Sequence, residues 1–112
     1  MKIIVNSIIP FKGYKAIALW PFIFVRTSAT RMSDESWNRM IQHECIHLRQ
    51  QQELLLVGFY LLYLFLWLWW SMRYRSFHKG YRRVVFEVEA YIFESDNGYL
   101  ERRKRWSWTK WL

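Results

Sequence analysis

The sequence predicts an α+β fold, mostly α: a short N-terminal β-hairpin, a long helix, an apolar helix at or in a membrane, and a further helix. Three observations carry this. Runs rich in Ile, Val and Phe are concentrated in the first 26 residues, and no proline follows Pro21, so later helices can run unbroken. Leu54 to Trp70 is then a stretch of 17 residues without a charge. A chain of 112 residues has room for one domain with one modest core.

The first unit, residues 1–32, holds the expected hairpin and a connector. Lys2 to Ile9 reads as a strand, Pro10 to Lys15 with Gly13 as a turn, and Ala16 to Arg26 (AIALWPFIFVR) as a second extended segment. Pro21 inside that segment marks an edge, a bulge or a break, because it has no N–H to give a ladder. The start, MKIIVNSIIPFKGYK, reads as mature structure, since Asn6, Pro10 and Lys12 interrupt any leader-like core. Thr27 to Met32 is polar. Ser33 followed by Asp34 and Glu35 then starts a helix, with a hydroxyl cap and two carboxylates at the positive end of the dipole. That helix is expected over 33–57, with Gly58 as its weak point. The apolar segment covers 58–72, a basic aromatic loop 71–83 turns at Gly80, a helix lies within 81–95, and 100–112 is a basic aromatic tail.

Net charge is +8, from 17 Lys and Arg against nine Asp and Glu, so an extended partner surface would be anionic. Aromatic residues make up 21%, including eight Trp, and their mixture with Arg and Lys is what a membrane interface selects. One cysteine, Cys45, excludes an intramolecular disulfide.

Residues 43–47 read HECIH, and two of the chain's three histidines fall inside this pattern. On a helix, i and i+4 stand about 40° apart, so His43 and His47 can each point a nitrogen at one tetrahedral ion. Glu44 projects beside that ion, where it can take a proton from an attacking water and hand it to a leaving amine. Zinc needs a third protein ligand, and the downstream candidates are His78, Glu87, Glu89 and Glu94. Glu87 and Glu94 share a helix face, while Glu89 lies about 200° from Glu87. Spacing alone leaves the choice between Glu87 and Glu89 open. Cys45 sits about 200° round the helix from His43 and reads as an apolar residue, not a ligand. Gln50 and Gln51 continue the His face.

H-E-x-x-H followed by E-x-x-A on a later helix resembles the gluzincin membrane metallopeptidases, the prenyl-protease and heat-shock-protease group. The matching residues are His43-Glu44-Cys45-Ile46-His47 and Glu87-Val88-Glu89-Ala90. The resemblance implies a minimal zincin-like fold, zinc held by His43, His47 and Glu87, and Glu44 as the catalytic carboxylate. Tyr91 stands where that group has an Asp that orients a ligand histidine, and a phenol does this less strongly. The chain is also similar to small uncharacterised bacterial proteins sharing FVR (24–26), HECIH (43–47), FYLLY (59–63) and FEVEAY (86–91). The expected location is the bacterial inner membrane.

As one helix, the uncharged run would be about 25 Å long, the short limit for a membrane span. A straight span would strand Glu87 on the wrong side, because only 16 residues, 71–86, remain for a return and they are too charged to cross hydrocarbon. The helix is therefore expected to bend near Gly58 and lie half-immersed, with a homo-oligomer as another way of covering it. The tail cations Arg102, Arg103, Lys104 and Arg105, with Trp106, Trp108 and Trp111, suit anionic lipid better than nucleic acid. The expected protein is a membrane-associated zinc metallopeptidase acting on a peptide or protein. The alternatives are a non-catalytic membrane adaptor, with a structural metal or none, and a basic lipid- or nucleic-acid-binding module.

Overall fold

The computed structural model describes residues 2–8 and 15–112. It is mostly helical, with a small sheet at the N-terminus. The sheet has three strands, β1 (Lys2–Asn6), β2 (Ala16–Leu19) and β3 (Phe22–Arg26), in the order β1-β3-β2. The hairpin lies elsewhere than expected. Pro21, joined to Trp20 by a cis peptide bond, breaks AIALWPFIFVR into two antiparallel strands, with Leu19 opposite Phe22. β1 runs parallel to β3, from Lys2 opposite Phe22 to Asn6 opposite Arg26. A parallel neighbour needs a long crossover, and the β2 turn of chain is part of it. The turn expected within 10–15 falls largely on residues 9–14, outside the described ones.

Alternation along β3 buries Ile23 and Val25, which join Ala18, Ala29 and Leu48 in one core cluster. Trp37, Met40, Ile41 and half-buried Cys45 pack on it from α1 (Asp34–Glu53). The cap is as expected: Ser33 Oγ accepts from the Ser36 N–H at 3.2 Å, with Asp34 and Glu35 in the first turn. One side of α1 thus rests on the sheet, which turns His43 and His47 toward the later helices.

α1 ends at Glu53, four residues short of Val57, and α2 (Val57–Tyr74) leaves at 113°. The expected bend exists, but it falls at Leu55 and Leu56, with φ of 56° and 63°, while Gly58 sits inside α2, where an added Cβ would meet Leu54 at ordinary contact distance. No single helix among the described residues is long and apolar enough to cross a membrane. The inner side of α2 packs Phe59, Leu62, Tyr63, Leu66 and Trp67 against Val84, Val85, Phe86 and Trp108.

The stretch 71–83, expected as a loop, is mostly helical. α2 continues to Tyr74, Arg75 turns the chain in the left-handed region, and Ser76 caps α3 (Phe77–Arg83) by accepting from the Lys79 N–H. Gly80 is not the turn. It is buried where α3 crosses α2, and a Cβ there would stand 2.5 Å from the Ser71 backbone nitrogen. α4 (Val85–Phe93) follows after a kink at Val84, then the short α5 (Tyr99–Arg102) and a 3-10 turn at Ser107–Trp111. The tail is not wholly a surface: Trp108 is in the core and the Arg103 side chain is buried.

Candidate metal centre

α1 and α4 pack side by side and bring their polar faces together. His43 Nε2 and His47 Nε2 are 3.2 Å apart, and Glu87 Oε1 lies 3.0 Å from each. All three side chains are buried. Glu44 is buried beside them, and ligand atoms of His43, Glu44 and His47 lie within 4.8 Å of one another, a group that could hold a metal ion.

The protons on the two rings follow from their outer partners. His43 Nδ1 faces Glu94 Oε1 at 3.0 Å, and an ionised carboxylate only accepts, so this nitrogen carries the proton. His47 Nδ1 faces Gln50 Oε1 at 2.7 Å. The Gln50 amide cannot be the other way round, because its nitrogen donates to Phe86 O at 3.1 Å and Glu89 Oε1 at 2.9 Å. In neutral rings, both Nε2 atoms therefore aim lone pairs at Glu87 Oε1. Three acceptors converge where a buried site requires a donor or a cation. A proton on one ring would supply that donor as an ion would, while protons on both would place two cationic rings with centroids 4.9 Å apart.

A tetrahedral ion bonded at about 2.0–2.1 Å needs donor atoms about 3.3 Å apart. The three edges of 3.0, 3.0 and 3.2 Å fit that with little adjustment. The second oxygen of Glu87 is occupied by the Tyr63 hydroxyl, which donates to it at 2.6 Å and leaves Oε1 as the inward atom.

The surrounding carboxylates favour positive charge at this point, whether carried by ring protons or by an ion. Burial disfavours a charged His43 ring, but the Glu87 and Glu94 carboxylates outweigh it and raise its pKa to about 10. Burial works against the charged form of Glu87 too, yet His47 and His43 hold its carboxyl well below the usual range. Burial pushes Glu44 up to about 7, partly offset by the two histidines. Its Oε2 is buried with no hydrogen-bond partner.

Glu44, His47 and Glu87 all line a cavity of about 390 Å3. Its other walls are β2 and an aromatic side formed by Phe59, Tyr63, Trp67 and Tyr81. Gln51, fully buried, ties the site helix to the sheet: it donates to Ala18 O at 2.7 Å and accepts from the Trp20 N–H at 2.8 Å. The strand facing the cavity is thus β2, whereas FIFVR is the central strand with both edges paired.

Of the four downstream candidates, Glu87 alone meets both inner nitrogens. Glu89 is fully buried but turned to Arg103, Tyr99 and Gln50. His78 is exposed on α3, away from the site. Glu94 reaches the outer nitrogen of His43, a role signalled by its seven-residue spacing from Glu87. Tyr91 packs its ring edge-on to His43 at 4.5 Å and pairs its hydroxyl with Tyr81. Nothing in local spacing marks Tyr63 or Tyr81, which arrive from other helices.

Comparison of the chain with protein-family models, with curated proteins and with solved structures returns no match. The class defined by fold and site is therefore a small α+β protein with a buried His-Glu-His group able to hold a metal ion.

Proposed function

We propose that this protein is a membrane-associated zinc metallopeptidase, with His43, His47 and Glu87 holding the ion and Glu44 as general base. The observation carrying this reading is the convergence of three acceptors beside an unpaired buried carboxylate at a cavity. Zinc bound there would polarise a carbonyl and bring an attacking water near neutral ionisation. Glu44 Oε2 takes the proton that water gives up and returns it to the amide nitrogen as the C–N bond breaks. A carboxylate beside the ion, with one oxygen free of hydrogen bonds, can make both transfers. The Tyr81 hydroxyl, in the cavity wall, is paired with the Tyr91 hydroxyl at 2.8 Å, and with Tyr91 as the donor its own proton is left for a substrate carbonyl. An extended peptide would lie along β2, whose outward groups at Ala18 O and Trp20 N are already taken by Gln51, leaving the Ala16 end for pairing.

Membrane association rests on the outer side of α2. Val57, Leu61, Leu64, Phe65, Leu68 and Met72 are exposed at helical spacing, and the exposed cations Arg73, Arg75 and Lys79 follow directly. Apolar depth followed by positive charge matches an anionic lipid surface. Phe65→Asp should abolish sedimentation with phosphatidylglycerol vesicles, and equal sedimentation of both proteins would remove the lipid assignment.

Function is tested with a peptide library and elemental analysis on the same preparations. Wild type should carry about one zinc per chain and cleave peptides. Glu44→Gln should keep the zinc and lose cleavage. His47→Ala should lose both. Unchanged turnover in Glu44→Gln would overturn its role, and equal zinc in His47→Ala would overturn the site.

A further inference from the structure

A buried polar chain connects the C-terminal tail to His47. The Arg103 side chain, 2% exposed, donates to both oxygens of Glu53 at 2.9 and 3.0 Å, and to both oxygens of Glu89 at 2.5 and 3.1 Å. Glu89 also accepts from the Tyr99 hydroxyl at 2.6 Å and from Gln50 Nε2 at 2.9 Å. Gln50, with no exposed surface, passes the contact to His47 Nδ1.

We propose that Arg103 is a positioning residue of the metal centre, acting through Glu89 and Gln50 to hold His47 with its Nε2 lone pair facing His43 and Glu87. The inference rests on the metal reading above. Its logic is one of donors and acceptors. Glu89 receives four donated hydrogen bonds, about the full capacity of a carboxylate. It therefore presents an acceptor to Gln50. Were the Gln50 amide to flip, its oxygen would face both Glu89 Oε1 and Phe86 O, two acceptor–acceptor contacts without water. The amide oxygen is thereby directed at His47, which fixes the ring proton on Nδ1.

The cluster also fastens the tail, since Glu53 accepts from the Trp106 N–H at 2.7 Å, but its charge has a consequence beyond fastening. Two carboxylates around one guanidinium leave a net negative charge in the interior, and buried ion clusters of this kind often add little stability over packed apolar side chains. Placed one amide away from a ligand ring, the same charges orient that ring and favour a cation next to it. The tail thereby becomes part of the site, although Arg103 lies 56 positions from His47 in the chain.

The test combines zinc affinity by chelator competition with 15N–1H correlation of the histidine rings. Arg103→Met and Gln50→Leu should each weaken zinc by about 10–100-fold. Arg102→Met, which removes an exposed cation, should stay within about twofold, as surface charges usually do. In wild type the His47 ring should carry its proton on Nδ1, and Arg103→Met should show a mixture of tautomers. Full zinc affinity in both buried variants overturns the proposal. So does a wild-type His47 protonated on Nε2 alone, a result that stands even if the variants fail to fold. Absence of zinc binding by wild type would instead remove the metal reading, while the ring spectra would still decide whether Arg103 sets the His47 tautomer.

Discussion

Glu94 Oε1 lies 3.0 Å from His43 Nδ1, one helical turn beyond Tyr91, where the resemblance to membrane metallopeptidases led to an orienting acid. Tyr91 leaves the histidine nitrogens alone and bonds Tyr81 instead, with Arg82 stacked 3.7 Å from its ring centre. Glu94, at the C-terminal end of α4, stands at the next position on the same side as Tyr91. Glu94 is only partly exposed and also meets Arg39 at 3.5 Å, so its geometry is constrained from both sides. Glu94→Gln should therefore weaken zinc binding by about 10–100-fold, measured by chelator competition. Tyr91→Phe, which keeps the ring packing against His43, should change it little. A larger loss in Tyr91→Phe than in Glu94→Gln would return the orienting role to position 91.

Removing the metal should be felt by the whole fold. The three convergent acceptors lie between α1 and α4, which meet besides through Ile46 and Ala90 and through hydrogen bonds from Gln42 to Phe93 O and from Gln50 to Phe86 O and Glu89. A ligand present at a thousandfold its dissociation constant stabilises by about 4 kcal/mol. For a chain near this size each kcal/mol moves the melting temperature by roughly 4–8 °C. Chelation should accordingly lower Tm by more than about 10 °C, read by circular dichroism, and zinc should restore it. His47→Ala should melt at one temperature with or without chelator.

The parts legible in the sequence were those with a short-range chemical signature. Ser33 before two acids starts a helix and HECIH sets two rings on one face, while spacing leaves Glu87 and Glu89 equal and only the resemblance singles out Glu87, the one that meets both rings. Pairings between distant segments were not legible: β1 beside β3 in parallel leaves no mark in either strand. The helix α3 was hidden because its buried face is little more than Gly80, among residues that otherwise read as a basic loop. The bend at Leu55 and Leu56 contradicts leucine's own backbone preference, whereas Gly58 nearby is the residue type that ordinarily yields at such a place. Arg103 and Trp108 were read with their exposed neighbours as one lipid-facing tail, since nothing local distinguishes a buried arginine from a solvated one.

Gly80 offers a stability prediction. A methyl group there would fall 2.2 Å from Ser71 Oγ and 2.7 Å from Ser71 Cα. The hydroxyl can rotate, but the backbone of α2 cannot move without shifting Phe59 and Trp67 in the core behind it. Gly80→Ala gains helix propensity of about 1 kcal/mol, and overpacking costs about 1–3 kcal/mol or more. The clash should win, with a net loss of about 1–2 kcal/mol in denaturant unfolding. A stabilised Gly80→Ala protein would mean that α3 and α2 are further apart than described.

Leu55 joins backbone strain to the proposed lipid surface. It holds φ at 56° with 84% of its surface exposed, so no packing within the protein offsets a left-handed leucine. The strain is worth about 1–2 kcal/mol, and glycine would remove it at an entropic cost of about 0.4–1 kcal/mol. Leu55→Gly should then raise stability in plain buffer by about 0.5–1 kcal/mol. If the exposed side chain enters lipid, the same variant should bind anionic vesicles more weakly by about 1.5–3 kcal/mol. Leu55→Ala separates the two effects, because it loses the apolar side chain but keeps the Cβ that clashes in this backbone region. It should bind vesicles as weakly as Leu55→Gly without gaining stability. Equal vesicle binding by all three proteins would detach Leu55 from the membrane, and an unchanged unfolding midpoint in Leu55→Gly would show that the bend between α1 and α2 carries no strain there.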